Sequence, residues 1–227
     1  MIRLHITTEG STELRFAKTV LAPHLGVFDI VVDSRSVLTS KDNRFSKEYR
    51  GGLKHYEKAK QDILTWMKQD YHSECRFTTM FDLYALPKDF PGYDEAENQQ
   101  DPYERIRLLE KKMEVDIGSV NFIPYIQLYE FEALILAEPQ KLDWEYLEHE
   151  TPIKNLADMV GGQNPELIND GPETAPSKRI LKEIPEYDKP TGGVAVAEKI
   201  GLQTIREKCR HFDEWVLRLE DLAGTNP

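Results

Sequence analysis

The sequence predicts an α/β fold, a mainly parallel sheet flanked by helices with a mostly helical C-terminal region. Three observations predict it. Short β-prone runs alternate with stretches of helical spacing as far as Ala137. The first run passes through a tight turn directly into a helical pattern, as a parallel crossover unit requires. Beyond Pro139 the character changes, and residues 151–195 are rich in Pro and Gly with only short apolar clusters. Two domains are expected on this basis, 1–138 and a helical extension over 139–227.

Each element has its own reason. Arg3 to Thr8 (RLHITT) is short and β-prone, Gly10 suits a tight turn, and Ser11 or Thr12 can cap the helix that begins LRFAKTVLAPHL. Val27 to Val32 (VFDIVV) is a second strand. Ser46 to Gln69 has the spacing of a long helix with Gly51 and Gly52 as a weak point, and Ile63, Leu64, Trp66 and Met67 supply its apolar stripe. Arg76 to Leu86 is a third strand ending before Pro87, and Pro102 starts a helix through about Met113. Asn121 to Leu128 is a fourth strand, and Tyr129 to Ala137 turns straight into a helix. Leu202 to Leu222 is a final amphipathic helix.

Composition narrows the function classes. An apolar share of 40% beside 30% charged residues supports a folded core. No apolar run reaches the roughly 18 residues a membrane span needs, and MIRLHITTEG has no signal-peptide character, so a cytoplasmic setting with no membrane partner is expected. Cys75 and Cys209 form no metal-spaced pair, and the six histidines form no ligand pattern. The net charge of −11 is unevenly spread: residues 1–79 carry +3, 80–150 carry −11, and 151–227 carry −3. The middle third is therefore either a solvated acidic surface or a source of metal-binding carboxylates.

In an open parallel sheet, sites form outside the carboxyl ends of the strands. Glu9 and Glu13 follow the first predicted strand, Asp82 lies late in the third, and Glu130 and Glu132 follow the fourth. A Glu at a helix start is also an ordinary partner for the helix dipole. Asp82 interrupts the apolar run TTMFDLYAL, which places a charge in a strand otherwise suited to burial. Acids collected at one sheet edge repel one another unless protonated or bridged by a cation, and hard oxygen ligands suit Mg²⁺ or Mn²⁺. Residues 35–60 hold eight basic residues against three acids, with Phe45, Tyr49 and Tyr56 interleaved. Arg44, Lys47, Arg50 and Lys54 can follow phosphates there, although a solvated helix face accounts for them equally well. No GxxxxGK[ST] is present, so ATP hydrolysis by a P-loop is not expected of this chain.

Glu9-Gly-x-x-Glu13 after a first strand, an Asp closing a later strand and acids after a further one resemble the Toprim domain of topoisomerases, primases and OLD-family nucleases. Over most of its length the chain is similar to the bacterial Toprim-like family named domain of unknown function 4276, through EGSTE at 9–13, FDLYALPKDFPG at 81–92, FIPYIQLYEFEALIL at 122–136, PSKRI at 176–180 and the tail at 193–219. Members of that family resemble the nuclease subunit of PARIS-type anti-phage systems, which an ABC-like ATPase partner holds until infection. The resemblance implies a Toprim-like fold and metal-dependent hydrolysis of phosphodiester bonds in tRNA or DNA. It implies Glu9 as the central catalytic acid, Glu13 and Asp82 completing a first metal site, and Glu130 and Glu132 holding a second. It also implies a late lysine near the phosphate: Lys178 is the catalytic candidate beside Arg179, a phosphate-gripping guanidinium, and Lys189 is a further one.

The sequence departs from the Toprim pattern at one point. Where Asp-x-Asp is usual, Tyr84 stands two residues after Asp82, and Asp89 is the nearest later acid that could loop back. Two function classes therefore stand side by side. One is a Mg²⁺- or Mn²⁺-dependent nuclease in anti-phage defence, with nucleic acid, an ATPase and a second copy of the chain as partners. The other is a regulatory or scaffold subunit with a degenerate site.

Overall fold

The computed structural model describes residues 1–42, 47–50, 53–169 and 171–224. The chain forms two compact units, Met1–Ile126 with Arg218–Pro227, and Gln127–Leu217.

The first unit is built on a parallel sheet whose strands lie in the order β2 (Ile30–Ser36), β1 (Ile2–Thr8), β5 (Cys75–Asp82), β6 (Phe122–Ile123). Strand β1 (Ile2–Thr8) lies inside it, with Ile2, Leu4 and Ile6 buried on one face and His5 and Thr7 on the other, so both faces are covered. Helix α1 (Ser11–Phe16) runs through a wider turn at Ala17–Leu21 into α2 (Ala22–Gly26). The second strand, β2 (Ile30–Ser36), starts later than its apolar run suggests. Val27, Phe28 and Asp29 instead close α2 with N–H bonds to His24, Leu25 and Gly26, and Asp29 takes φ 57°. Strands β1 and β2 pair in register from Ile2 with Ile30 to Thr8 with Ser36.

Among the described residues, the expected long helix over 46–69 starts only at Tyr56. Leu38–Asp42 (β3) and Lys47–Arg50 (β4) form an antiparallel pair instead, and the helix, α3 (Tyr56–Gln69), follows. The glycine pair at 51 and 52 explains why helical spacing failed here, since two successive glycines in a helix interior cost about 2 kcal/mol relative to alanine. Asp89 supplies the missing N-terminal cap of α3, its carboxylate accepting the Tyr56 N–H at 3.1 Å. The buried face of α3 is Tyr56, Ala59, Ile63 and Trp66.

The expected strand 76–86 is real but ends sooner: β5 spans Cys75–Asp82, and Leu83–Ala85 form a tight helical turn. Helices α4 (Tyr93–Glu97) and α5 (Pro102–Ile117) follow. Asp101 caps α5 by accepting the Tyr103 and Glu104 N–H groups, and α5 outruns its expected end because its stop is Gly118 at φ 68°. The fourth strand is broken at Pro124 into β6 (Phe122–Ile123) and β7 (Ile126–Gln127), the proline lacking an N–H for the ladder.

In the second unit the helix expected at 129–137 shrinks to α6 (Glu132–Ile135), because Tyr129 adopts φ 58° and breaks the run. Short helices follow as expected: α7 (Glu150–Val160), α8 (Pro176–Glu183) and α9 (Val194–Ile200). The final helix is two helices, α10 (Leu202–Lys208) and α11 (Arg210–Glu220), with Cys209 extended between them. Glu166 explains the break. It is fully buried, and its two carboxylate oxygens accept the His211 and Phe212 N–H groups at 2.9 Å each, in the first turn of α11. No helix among the described residues is long and apolar enough to cross a membrane.

Candidate functional site

In the first unit, three carboxylates leave the sheet at one end. Strands β1 and β5 are paired up to Thr8 and Met80, and the Glu9 N–H continues the ladder to Met80 O at 3.2 Å. Glu9 is therefore held at the strand end beside Asp82, whose backbone N–H donates to Glu9 Oε2 at 3.4 Å. Asp82 is the last residue of β5 and is 4% exposed. Glu13 is 3% exposed, and its Oε2 accepts the Gly10 N–H at 3.0 Å, the capping use that a Glu in the first helical turn commonly has. The turn between them is pinned by hydroxyls, with Thr8 and Ser36 both donating to the Gly10 carbonyl.

All three side chains offer carboxylate oxygens, the donor type a hard divalent cation takes, and two of them are buried. Tyr84 is 38% exposed in the turn after β5 and brings no carboxylate, while Asp89 is engaged at the start of α3. The acids at this sheet end are thus Glu9, Glu13 and Asp82.

The second unit has a polar cluster of its own. Glu132 is fully buried, with Lys189 Nζ 3.1 Å from its carboxylate and the Tyr187 hydroxyl donating to it at 3.4 Å. Burial and the Glu132 charge together push the Tyr187 phenol well up. Glu130 is half-buried and accepts the Ser177 N–H at 2.9 Å, capping α8. The segment 187–193 is drawn tightly around this cluster. A Cβ on Gly192 would stand 2.1 Å from the Tyr146 hydroxyl, and one on Gly193 2.4 Å from that of Tyr187. Tyr129, a buried aromatic residue in the left-handed region beside Glu130, is a strained position of the kind that clusters at sites.

The other sequence candidates fall as follows. Lys178 is exposed on α8, and Arg179 donates through Nε to Thr174 O at 2.7 Å. Lys54 is exposed just before α3. Lys47 and Arg50 lie on β4 rather than on a helix, and Arg44 lies outside the described residues. Sequence reasoning missed Tyr146, Tyr187 and the Gly192-Gly193 pair, whose only signal was two adjacent glycines in a Pro- and Gly-rich stretch. It also missed a second grouping in the first unit, His5, Asp70 and Cys75, whose ligand atoms lie within 4.8 Å of one another and could hold a metal ion.

Residues 8–220 match the profile of a family described as Domain of unknown function (DUF4276). No curated protein matches. Two solved structures of the C-terminal region of the Xanthomonas campestris pv. campestris OLD protein are similar in fold. One is 17% identical over 98% of this chain and 94% of that chain with a TM-score of 0.46. The other is 16% identical over 99% and 97% with a TM-score of 0.43.

Proposed function

The chain belongs to the DUF4276 family, and from that premise we propose that it is a nuclease that depends on a hard divalent cation to hydrolyse phosphodiester bonds in nucleic acid. The observation that carries the reading is the convergence of Glu9, Glu13 and Asp82 at the carboxyl ends of two adjacent parallel strands. Glu9, Glu13 and Asp82 would hold the ion, Mg²⁺ or Mn²⁺. When bound, it supplies Lewis-acid polarisation of a phosphoryl oxygen and a lowered pKa for bound water. Glu9 is the proton acceptor in this scheme: it is half-buried, and the Asp82 N–H steers its Oε2. The Gly10 N–H fixes the position of Glu13, and Asp82 ends β5 beside Glu9.

One ion suits the first unit better than two, because Tyr84 replaces an acid and Asp89 serves α3. In the second unit, Lys189 already neutralises Glu132, so this pair is assigned a phosphate-facing role through the lysine rather than ion binding. Lys54 in the first unit, and separately Lys178 with Arg179 in the second, are proposed as contacts to the nucleic-acid backbone. An ABC-like ATPase partner and a defence role extend the proposal, supported by the resemblance of the sequence motifs.

The test is direct. The purified chain is incubated with total tRNA and with plasmid DNA, in Mn²⁺ or EDTA, beside Glu9→Gln. Metal-dependent cutting should fall by about 100-fold or more in the variant. Calorimetry on the same samples separates the alternative: if the wild type binds neither Mg²⁺ nor Mn²⁺, the chain is the degenerate subunit that Tyr84 and the Glu132–Lys189 pair would then mark.

A further inference from the structure

At the other end of β1, near the start of β5, three potential ligands meet that sequence spacing keeps far apart. His5 Nε2 lies 2.8 Å from Asp70 Oδ2, and one ligand atom from each of His5, Asp70 and Cys75 falls within a 4.8 Å group. The strands and helix bring them there: Arg3 of β1 pairs in register with Cys75 of β5, and Asp70 closes α3. His5 and Cys75 are buried, while the Asp70 side chain keeps 17% of its surface exposed and so opens the group to solvent.

The His5 ring is oriented for coordination. It is held against Trp66 and stacked on Phe77, with centroids at 4.6 and 4.8 Å. Its Nδ1 is buried and, among the described residues, has no hydrogen-bond partner. A neutral ring therefore carries its proton on Nε2 and donates it to Asp70. Asp33 stands beside His5 in the β1–β2 register, its Oδ2 4.0 Å from that same Nδ1. If Nε2 binds a metal, the ring proton must move to Nδ1, where it faces the Asp33 carboxylate. A carboxylate behind the second ring nitrogen is the arrangement that metal-ligating histidines usually have.

We propose that His5, Asp70 and Cys75 form a binding site for a borderline-soft divalent ion, Zn²⁺ by its thiolate, imidazole and carboxylate donors, with Asp33 as the outer partner of His5. Three protein ligands leave a fourth position for water. Binding moves the imidazole proton from Nε2 to Nδ1 and releases the Cys75 thiol proton to solvent. Arg3, 2.8 Å from Asp70 Oδ1, stays on the carboxylate as a positioning group. The donor set differs from the all-oxygen set of Glu9, Glu13 and Asp82, so it selects a softer ion than those carboxylates would. This inference does not depend on the nuclease reading.

The test uses metal-stripped full-length chain titrated with Co²⁺ and then Zn²⁺, with Mg²⁺ as control. One equivalent of Co²⁺ should give thiolate-to-cobalt charge-transfer absorption that Zn²⁺ removes and Mg²⁺ does not. Zn²⁺ at a hundredfold excess over its Kd should raise the melting temperature by about 5–11 °C. Cys75→Ser should lose the absorption while keeping its circular dichroism, and Asp33→Asn should keep it with about 10–100-fold weaker binding. Glu9→Gln should change none of this. A wild type without the charge-transfer absorption overturns the proposal, and so does a folded Cys75→Ser that binds Co²⁺ as the wild type does.

Discussion

Gly193→Ala should reverse its sign when Tyr187 loses its hydroxyl. Gly193 sits at φ −58° and ψ −45°, ordinary helical backbone that alanine adopts better than glycine by about 1 kcal/mol. The new methyl, however, would stand 2.4 Å from the Tyr187 hydroxyl oxygen, with the ring carbon bearing it at 3.3 Å. Tyr187 is only 7% exposed and cannot swing clear, so the overlap should cost about 1–3 kcal/mol. The net loss in the wild-type background is then about 0–2 kcal/mol, a fall in melting temperature of up to about 8 °C for a chain of this size. In Tyr187→Phe the offending atom is gone and 3.3 Å is only slightly tight, so the same substitution should be neutral or stabilising. Thermal melts of the four proteins in this cycle, followed by circular dichroism, give the coupling directly. Equal costs of Gly193→Ala in both backgrounds, or a stabilised single variant, would refute the reasoning that Gly193 exists to admit the hydroxyl which Glu132 accepts.

Further predictions concern groups that the fold holds in fixed partnerships. Glu166→Ala should destabilise the chain by about 2–4 kcal/mol, because the His211 and Phe212 N–H groups lose a buried acceptor; denaturant titration measures it, and a loss below about 0.5 kcal/mol would mean that the break at Cys209 does not depend on this carboxylate. Arg35→Lys should cost about 1–3 kcal/mol and alter Trp66 fluorescence, since Arg35 donates to both the Asp62 carboxylate and its carbonyl at 2.8 Å and stacks 4.0 Å from the Trp66 ring. Tyr56, Tyr146 and Tyr187 all have phenols raised above the ordinary value, first by burial and then by neighbouring acids. A raised folded value gives stability that is complete below the unfolded phenol pKa of about 10 and is lost as pH climbs past it. Ultraviolet titration should therefore show these phenols ionising at higher pH than free tyrosine, and Tyr187→Phe should remove one from that late group.

The sequence by itself determined the class of the fold and the placement of its first candidate acids. Apolar strands β1 and β5, each followed by a turn or helix, specify parallel pairing because both faces need covering, and that pairing carries Glu9 and Asp82 to one sheet end. The acids were legible since a charge ending a buried strand stands out against its neighbours. Helical spacing over 46–69 and 202–222 was legible too, yet it misjudged both segments. Local periodicity carries no knowledge of a β3–β4 pairing or of a buried Glu166, 45 residues from the N–H it accepts. Tertiary structure alone decided that Lys189, rather than Lys178, neutralises Glu132, and that Tyr187 claims the space left by Gly193. It alone decided that His5, Asp70 and Cys75 meet, because a register between strands brings together residues that no spacing rule connects, and only there do their donor atoms come within reach of one ion.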